Sequence, residues 1–180
     1  MKDDRIIIAE THRLVVRHFS ENDLEDLSAI LADPEVMKFS LKGVKTKTET
    51  KELIQRIISD YQSKGCGLYA VILRENKQLI GYCGFFFWSI AGKEEVEIGY
   101  RLDPKYWGRG LATEAAIAVR DYGFEKFNFS SLISLIQAKN IASIRVAEKT
   151  GLKYEKDYNL MGLSVRIYRI FKNSNLTNIR

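Results

Sequence analysis

Between residues 94 and 136 the sequence changes periodicity twice, in an order that few folds accommodate. A β-rich stretch ends at Leu102-Asp103-Pro104 and glycines follow at Gly108 and Gly110; Leu111, Ala115, Ala118, Val119 and Tyr122 then recur at helical spacing, and 132–136 reads as a strand. Strand, loop, helix and strand make a crossover, which sets its two strands parallel. Upstream, strands expected over 68–73, 78–88 and 94–102 are separated only by Arg74-Glu75-Asn76-Lys77 and Ile90-Ala91-Gly92-Lys93, connections that suit antiparallel hairpins. The sheet should therefore be mostly antiparallel, with one parallel pair.

The flanking segments complete an α/β unit. Arg13-Leu14-Val15-Val16-Arg17 reads as a strand, and Ser20 with Asp23 signals a helix start. Leu24, Leu27, Ile30 and Leu31 then recur until Asp33-Pro34 should end that helix. Thr46 and Glu49 form a capping box for a second helix, which Lys64-Gly65 should stop. Asn140 is the candidate N-cap of a short helix over 141–150 followed by Gly151, and 153–158 with 164–171 suggest a last hairpin. Without repeats or a proline- or serine-rich linker, 1–180 is expected to be one domain, with an ordered core over about 10–172 and a frayed tail at 173–180.

Composition removes several function classes. No apolar run approaches a membrane span, and the residues before Glu10 are too short and too charged for a secretory signal, so a cytoplasmic protein is expected. Cys66 and Cys83 lack metal or redox spacing and read as reduced, half-buried strand residues; no metal is expected. The net charge of +5 is scattered rather than clustered, which argues against direct nucleic-acid binding and leaves a nucleic-acid- or ribosome-associated protein driven by that charge as the weaker reading. His12 and His18 read as surface or edge residues. The run Phe85-Phe86-Phe87-Trp88 and Tyr154, Tyr158 and Tyr168 read as core.

The segment from Trp107 to Thr113 carries the chemistry. The first turn of a helix leaves backbone N–H groups unpaired at the positive end of the dipole. Gly108 and Gly110 let an oxyanion approach those groups closely, and Arg109 adds a charge, so the loop suits a diphosphate. It lacks the Gly-Lys-Ser/Thr of a nucleotide loop and the three spaced glycines of a dinucleotide fingerprint.

At these residues the chain resembles the GNAT superfamily of acyl-CoA N-acyltransferases, whose motif Arg/Gln-x-x-Gly-x-Gly/Ala falls on Trp107 to Ala112, with Trp107 departing at the first position. The string Tyr106 to Ala115, the stretches Thr11 to Arg17 and Asp33 to Met37, and Asn140-Ile141-Ala142-Ser143 with Glu148 to Leu152 are similar to the branch of ribosomal-protein alanine and serine N-acetyltransferases. The resemblance implies a V-shaped mixed sheet splayed at its parallel pair, between the fourth and fifth strands, with helices on both faces. It implies acetyl-CoA as cosubstrate, bound by Gly108, Arg109, Gly110, Leu111, Ala112 and Thr113, by the backbone of Tyr100, Arg101 and Leu102, and by Asn140.

Acyl transfer to an amine needs a base, an oxyanion donor and a proton for the thiolate. Alternation puts Glu95, Glu97, Gly99 and Arg101 on one face of their strand, so Glu97 is the candidate base; the competing reading pairs it with a cation on a neighbouring strand. The tyrosine that many family members carry seven residues after the asparagine is Ala147 here, and Ser143 resembles the serine that takes its role in the ribosomal-protein branch. By the same resemblance the oxyanion donor is a backbone N–H around 98–100. The acceptor is a primary amine, either a protein N-terminus or a small polyamine- or aminoglycoside-like molecule; a CoA-binding module without transfer activity is the alternative. An oligomer is compatible with the sequence.

Overall fold

The structure, a computed structural model, describes residues 6–172. Its strands are β1 (Ile7–Glu10), β2 (Leu14–Arg17), β3 (Leu68–Leu73), β4 (Leu79–Ile90), β5 (Lys93–Leu102), β6 (Ser131–Ile136), β7 (Lys153–Leu160) and β8 (Leu163–Phe171). Its α-helices are α1 (Leu24–Leu31), α2 (Pro34–Met37), α3 (Lys47–Ser63), α4 (Leu111–Lys126) and α5 (Ile141–Lys149). The frayed tail expected over 173–180 lies outside the described residues.

All eight strands form one sheet in the order β1-β2-β3-β4-β5-β6-β8-β7. Neighbours are antiparallel except β5 and β6, the pair joined by the crossover through α4. The expected mixed sheet with one parallel pair is therefore present. Because β1 adds a strand at the edge, the parallel pair falls on the fifth and sixth strands in chain order.

Both faces are covered. Leu27, Ile30 and Leu31 of α1 and Ile54 and Ile57 of α3 bury against Leu68, Ala70 and Ile72. Leu111, Ala115 and Val119 of α4 and Ile144 and Ala147 of α5 bury against Ile80, Phe85, Ile98 and Leu102 on the opposite face. Alternation along β5 thus sends Ile98 and Leu102 toward α4 and leaves Glu97 and Arg101 facing the other way.

Local signals explain most boundaries. Thr46 accepts from the Glu49 N–H at 3.2 Å while Glu49 accepts from the Thr46 N–H at 2.7 Å, a complete capping box for α3. Pro34 does end α1, but it also opens α2: Asp33 caps Glu35 at 2.8 Å, and proline at the first helical position loses no hydrogen bond. The Ala91-Gly92 connection is a two-residue turn pairing Ile90 with Lys93, so β4 runs two residues past its expected end.

Other readings need correction. Cys66 lies in the loop before β3, not in a strand, and both cysteines are buried rather than half-buried; burial pushes the Cys66 thiol up to about 11. His18 is no ordinary edge residue: it stacks on Tyr61 at 3.8 Å, and burial lowers its pKa. Phe87 and Tyr154 are 41% and 54% exposed, so the aromatic residues do not all belong to the core.

Candidate active site

The parallel pair barely pairs. β5 and β6 share one register position, Glu97 with Ile133, and then diverge. Past the bridge, side chains take over the lost ladder bonds: the Ser134 hydroxyl donates to the Ile98 carbonyl at 2.8 Å, and the Leu135 N–H donates to Glu97 Oε1 at 3.1 Å. The Phe85 N–H points away from β5, to the carbonyl of Gly67 just before β3, so along the regular β4–β5 ladder the polar groups of Ile98, Tyr100 and Leu102 point into the gap. The Arg101 backbone turns toward Tyr82 of β4, and only its side chain reaches the cleft face.

Glu97 is held at both oxygens. Its Oε2 accepts from the Trp88 indole N–H at 2.6 Å. Burial pushes its carboxyl up to about 7; the Trp88 and Leu135 hydrogen bonds and the Arg101 charge pull the other way and lose. No lysine or arginine forms an ion pair with Glu97 among the described residues; the carboxylate that does pair with a cation is Glu95, bidentate with Arg169 at 2.7 and 2.9 Å. Trp88 is the residue that sequence reasoning missed. The signal was the turn: once Ile90 pairs with Lys93, Trp88 stands opposite Glu95 and diagonal to Glu97, within reach of its carboxylate.

The glycine loop meets the gap at the other end of β5. The first bond within α4 runs from the Glu114 N–H to the Gly110 carbonyl at 3.0 Å, which leaves the N–H groups of Leu111, Ala112 and Thr113 ahead of the ladder. Gly108 and Gly110 have φ of 75° and 76°, and a Cβ on Gly108 would meet nothing within 4 Å, so the loop borders open space. Arg109 lies over the Tyr106 ring at 5.6 Å, and its carbonyl accepts from Arg13 at 2.8 Å. Arg13 also pairs with Glu114 at 2.6 Å, neutralising a carboxylate in the first turn of α4; nothing in the sequence pointed to this latch between residues so far apart. The Trp107 indole donates to the Leu102 carbonyl at 2.7 Å, tying the loop to the end of β5.

Across the gap, α5 presents its N-terminus. Asn140 caps it, its Oδ1 accepting from the Ser143 N–H at 3.1 Å. The Tyr100 hydroxyl donates to the Ser143 carbonyl at 2.9 Å, and burial raises its pKa, so this phenol stays protonated with its hydrogen engaged. The half-buried Ser143 hydroxyl lies beside the Tyr100 phenol, and its hydrogen bond there pulls the phenol's pKa against the effect of burial. Glu97, the edge of Tyr100, the glycine loop, Asn140 and Ser143 thus border one cleft, while Ala147 is packed in the core.

A splayed parallel pair with a glycine loop at a helix start is the acyl-CoA arrangement expected above, and the sequence matches the acetyltransferase (GNAT) domain over residues 13–153. The chain belongs to the GNAT acetyltransferase family. Among its GNAT relatives, the uncharacterised N-acetyltransferase YnaD of Bacillus subtilis is 34% identical over 145 residues, 81% of this chain and 82% of the relative. A GNAT-family acetyltransferase from Bacillus anthracis superposes with a TM-score of 0.79 at 29% identity, over 93% of this chain and 98% of that one. The fold is shared at 21% identity and a TM-score of 0.77 with RimL, a ribosomal L7/L12 α-N-protein acetyltransferase solved with coenzyme A, over 92% of this chain and 97% of that one. No described helix is long and apolar enough to cross a membrane.

Proposed function

We propose that the chain transfers an acetyl group from acetyl-CoA to the α-amino group of a protein N-terminus, both substrates being bound at once and the amine attacking directly. Glu97 carries the reading: a half-buried carboxyl, clamped at both oxygens beside the bridge of the splayed pair and pushed up to about 7. Each oxygen keeps a second lone pair, and a base with that affinity takes a proton effectively near neutral pH.

The cleft fits the cosubstrate. Three free N–H groups at the start of α4 suit the diphosphate, and the Tyr100 carbonyl and the gap-facing N–H of Leu102 suit the amides of an extended arm lying in the gap. Acetyl-CoA supplies the acyl thioester when bound. Gly99 faces β4 and Ile98 flanks the parallel bridge, which leaves the Tyr100 N–H to hold the oxyanion. Ser143, in the first turn of α5 beside the Tyr100 phenol, gives the thiolate its proton.

The acceptor follows from matched affinities. An α-amino group loses its proton near 8 and a lysine amine near about 10.4, so a base titrating near 7 is far better suited to the former. RimL, by its name, is an α-N-protein acetyltransferase, which supports the same acceptor. The test is acetylation of a panel of N-terminal peptides, spermidine and an aminoglycoside, read by mass spectrometry. Addition of one acetyl group to the peptide α-amine supports the reading. Preference for either small amine overturns the acceptor, and acetyl-CoA binding without any transfer makes the chain a CoA-binding module.

A further inference from the structure

Arg101 stands apart from the other enclosed arginines. Arg13, Arg17, Arg120, Arg166 and Arg169 are buried or half-buried, and each meets a carboxylate. Arg101 is half-buried and has no carboxylate within ion-pair distance among the described residues. Its Nε donates to the Tyr82 hydroxyl at 2.8 Å and its Nη1 to the Met37 sulfur at 3.3 Å, which fixes the plane of the guanidinium. Its Nη2 makes no hydrogen bond among the described residues, yet the sole fully enclosed side-chain polar atom found without a partner there is the Tyr69 hydroxyl. The free edge of the fork therefore opens outward.

It opens onto the cleft of Glu97. The two residues share a face of β5, and Phe86 lies between them: its ring covers Gly99, where an added Cβ would come within 2.7 Å of it. On one side the floor meets Met37 at the end of α2 with Phe39 just beyond it, and on the other Gln137 of the β6–α5 connection, which donates to the Phe39 carbonyl at 3.2 Å. A fixed, unpaired guanidinium offers two parallel N–H donors to a carboxylate and repels a second cation.

We infer that Arg101 is a specificity-determining residue that binds a carboxylate carried by the acceptor, so that the substrate class is an amine that also bears an acid. This rests on the proposed transfer to an amine. Glu97 and Arg101 are four residues apart, about 13 Å along the strand, the span of a few residues of extended peptide. The acid therefore lies within the first few residues of a peptide acceptor, and a polyamine would bring positive charge against Arg101.

The experiment measures acetylation of matched peptides with glutamate, glutamine or lysine at positions two and three, of free glutamate and glutamine, and of spermidine, by the parent, Arg101→Gln and Arg101→Lys. The expected kcat/KM ratio of the glutamate to the glutamine peptide is about tenfold or more in the parent, close to one in Arg101→Gln, and partly restored in Arg101→Lys. If free glutamate shows the ratio and the peptides do not, the carboxylate-bearing amine is a small molecule and the role of Arg101 stands. A ratio near one in the parent, or one that survives in Arg101→Gln, overturns the inference. So does a loss of acetyl-CoA affinity in Arg101→Gln as large as the lost ratio, which assigns the anion to the cosubstrate. Calorimetry of the same peptides on the CoA-loaded protein reads the ratio without turnover: a ratio with no acetylation keeps Arg101 and refutes the transferase, and no ratio there refutes Arg101.

Discussion

Replacing Trp88 by phenylalanine removes one N–H from the carboxyl of Glu97, the proposed base, while keeping an aromatic ring in the packing. That N–H donates to Glu97 Oε2 at 2.6 Å and stabilises the ionised form. Hydrogen bonds to charged groups contribute about 1.5–3 kcal/mol, and about 1.4 kcal/mol corresponds to one pH unit. Its loss should therefore move the Glu97 titration from about 7 to about 8–9. At pH 7 the ionised fraction falls from about half to between about a tenth and about a hundredth, so kcat/KM falls about 5- to 50-fold and recovers as pH rises. The acceptor amine titrates identically in both proteins, so the displacement of the acid limb of the pH–rate profile isolates Glu97. Carbon-13 NMR of labelled glutamate gives the same titration without turnover. An acid limb that stays put, with Glu97 titrating in the ordinary carboxylate range in both proteins, would refute the reasoning.

The sign of the Glu97 shift also sets a stability test. Its carboxyl is raised from 4.5 to about 7, so between those values the folded chain binds more protons than the unfolded one and loses stability as pH rises. Urea titrations should show Glu97→Gln gaining on the parent, on the order of 3 kcal/mol between pH 4 and 8. Gly108, at φ 75° beside open space, tolerates Asn and Asp alike, but only Asp places a negative charge where the diphosphate is proposed to bind. Calorimetry should give Gly108→Asp a Kd for acetyl-CoA about tenfold or more above that of Gly108→Asn. Ser143→Ala should lower kcat about tenfold or more while the acetyl-CoA Kd changes little, and an unchanged kcat would leave the thiolate to solvent.

The order of strands and the parallel pair were legible because periodicity changes sharply at Leu102 and again near Phe124, and only a crossover joins such segments. Glu97 was legible as a residue on one face of its strand. Its clamp was not, because Phe85-Phe86-Phe87-Trp88 reads as core until the register of a two-residue turn is known. β1 escaped because Ile7–Glu10 is a short strand at the sheet edge, with β2 as its only neighbour in the sheet. α2 escaped because Pro34 signals both the end of one helix and the start of another. Arg101 was visible through its backbone and cleft face, but its missing partner shows only when every neighbouring carboxylate has been placed.

The most direct measurement is thiol release from saturating acetyl-CoA at pH 7 with an N-terminal peptide acceptor, in the parent and in Glu97→Gln. The expected result is a peptide-dependent release that falls by about a hundredfold or more in the variant, with the acetyl-CoA Kd retained. Equal turnover in both proteins would contradict Glu97 as the base on which the proposed mechanism depends.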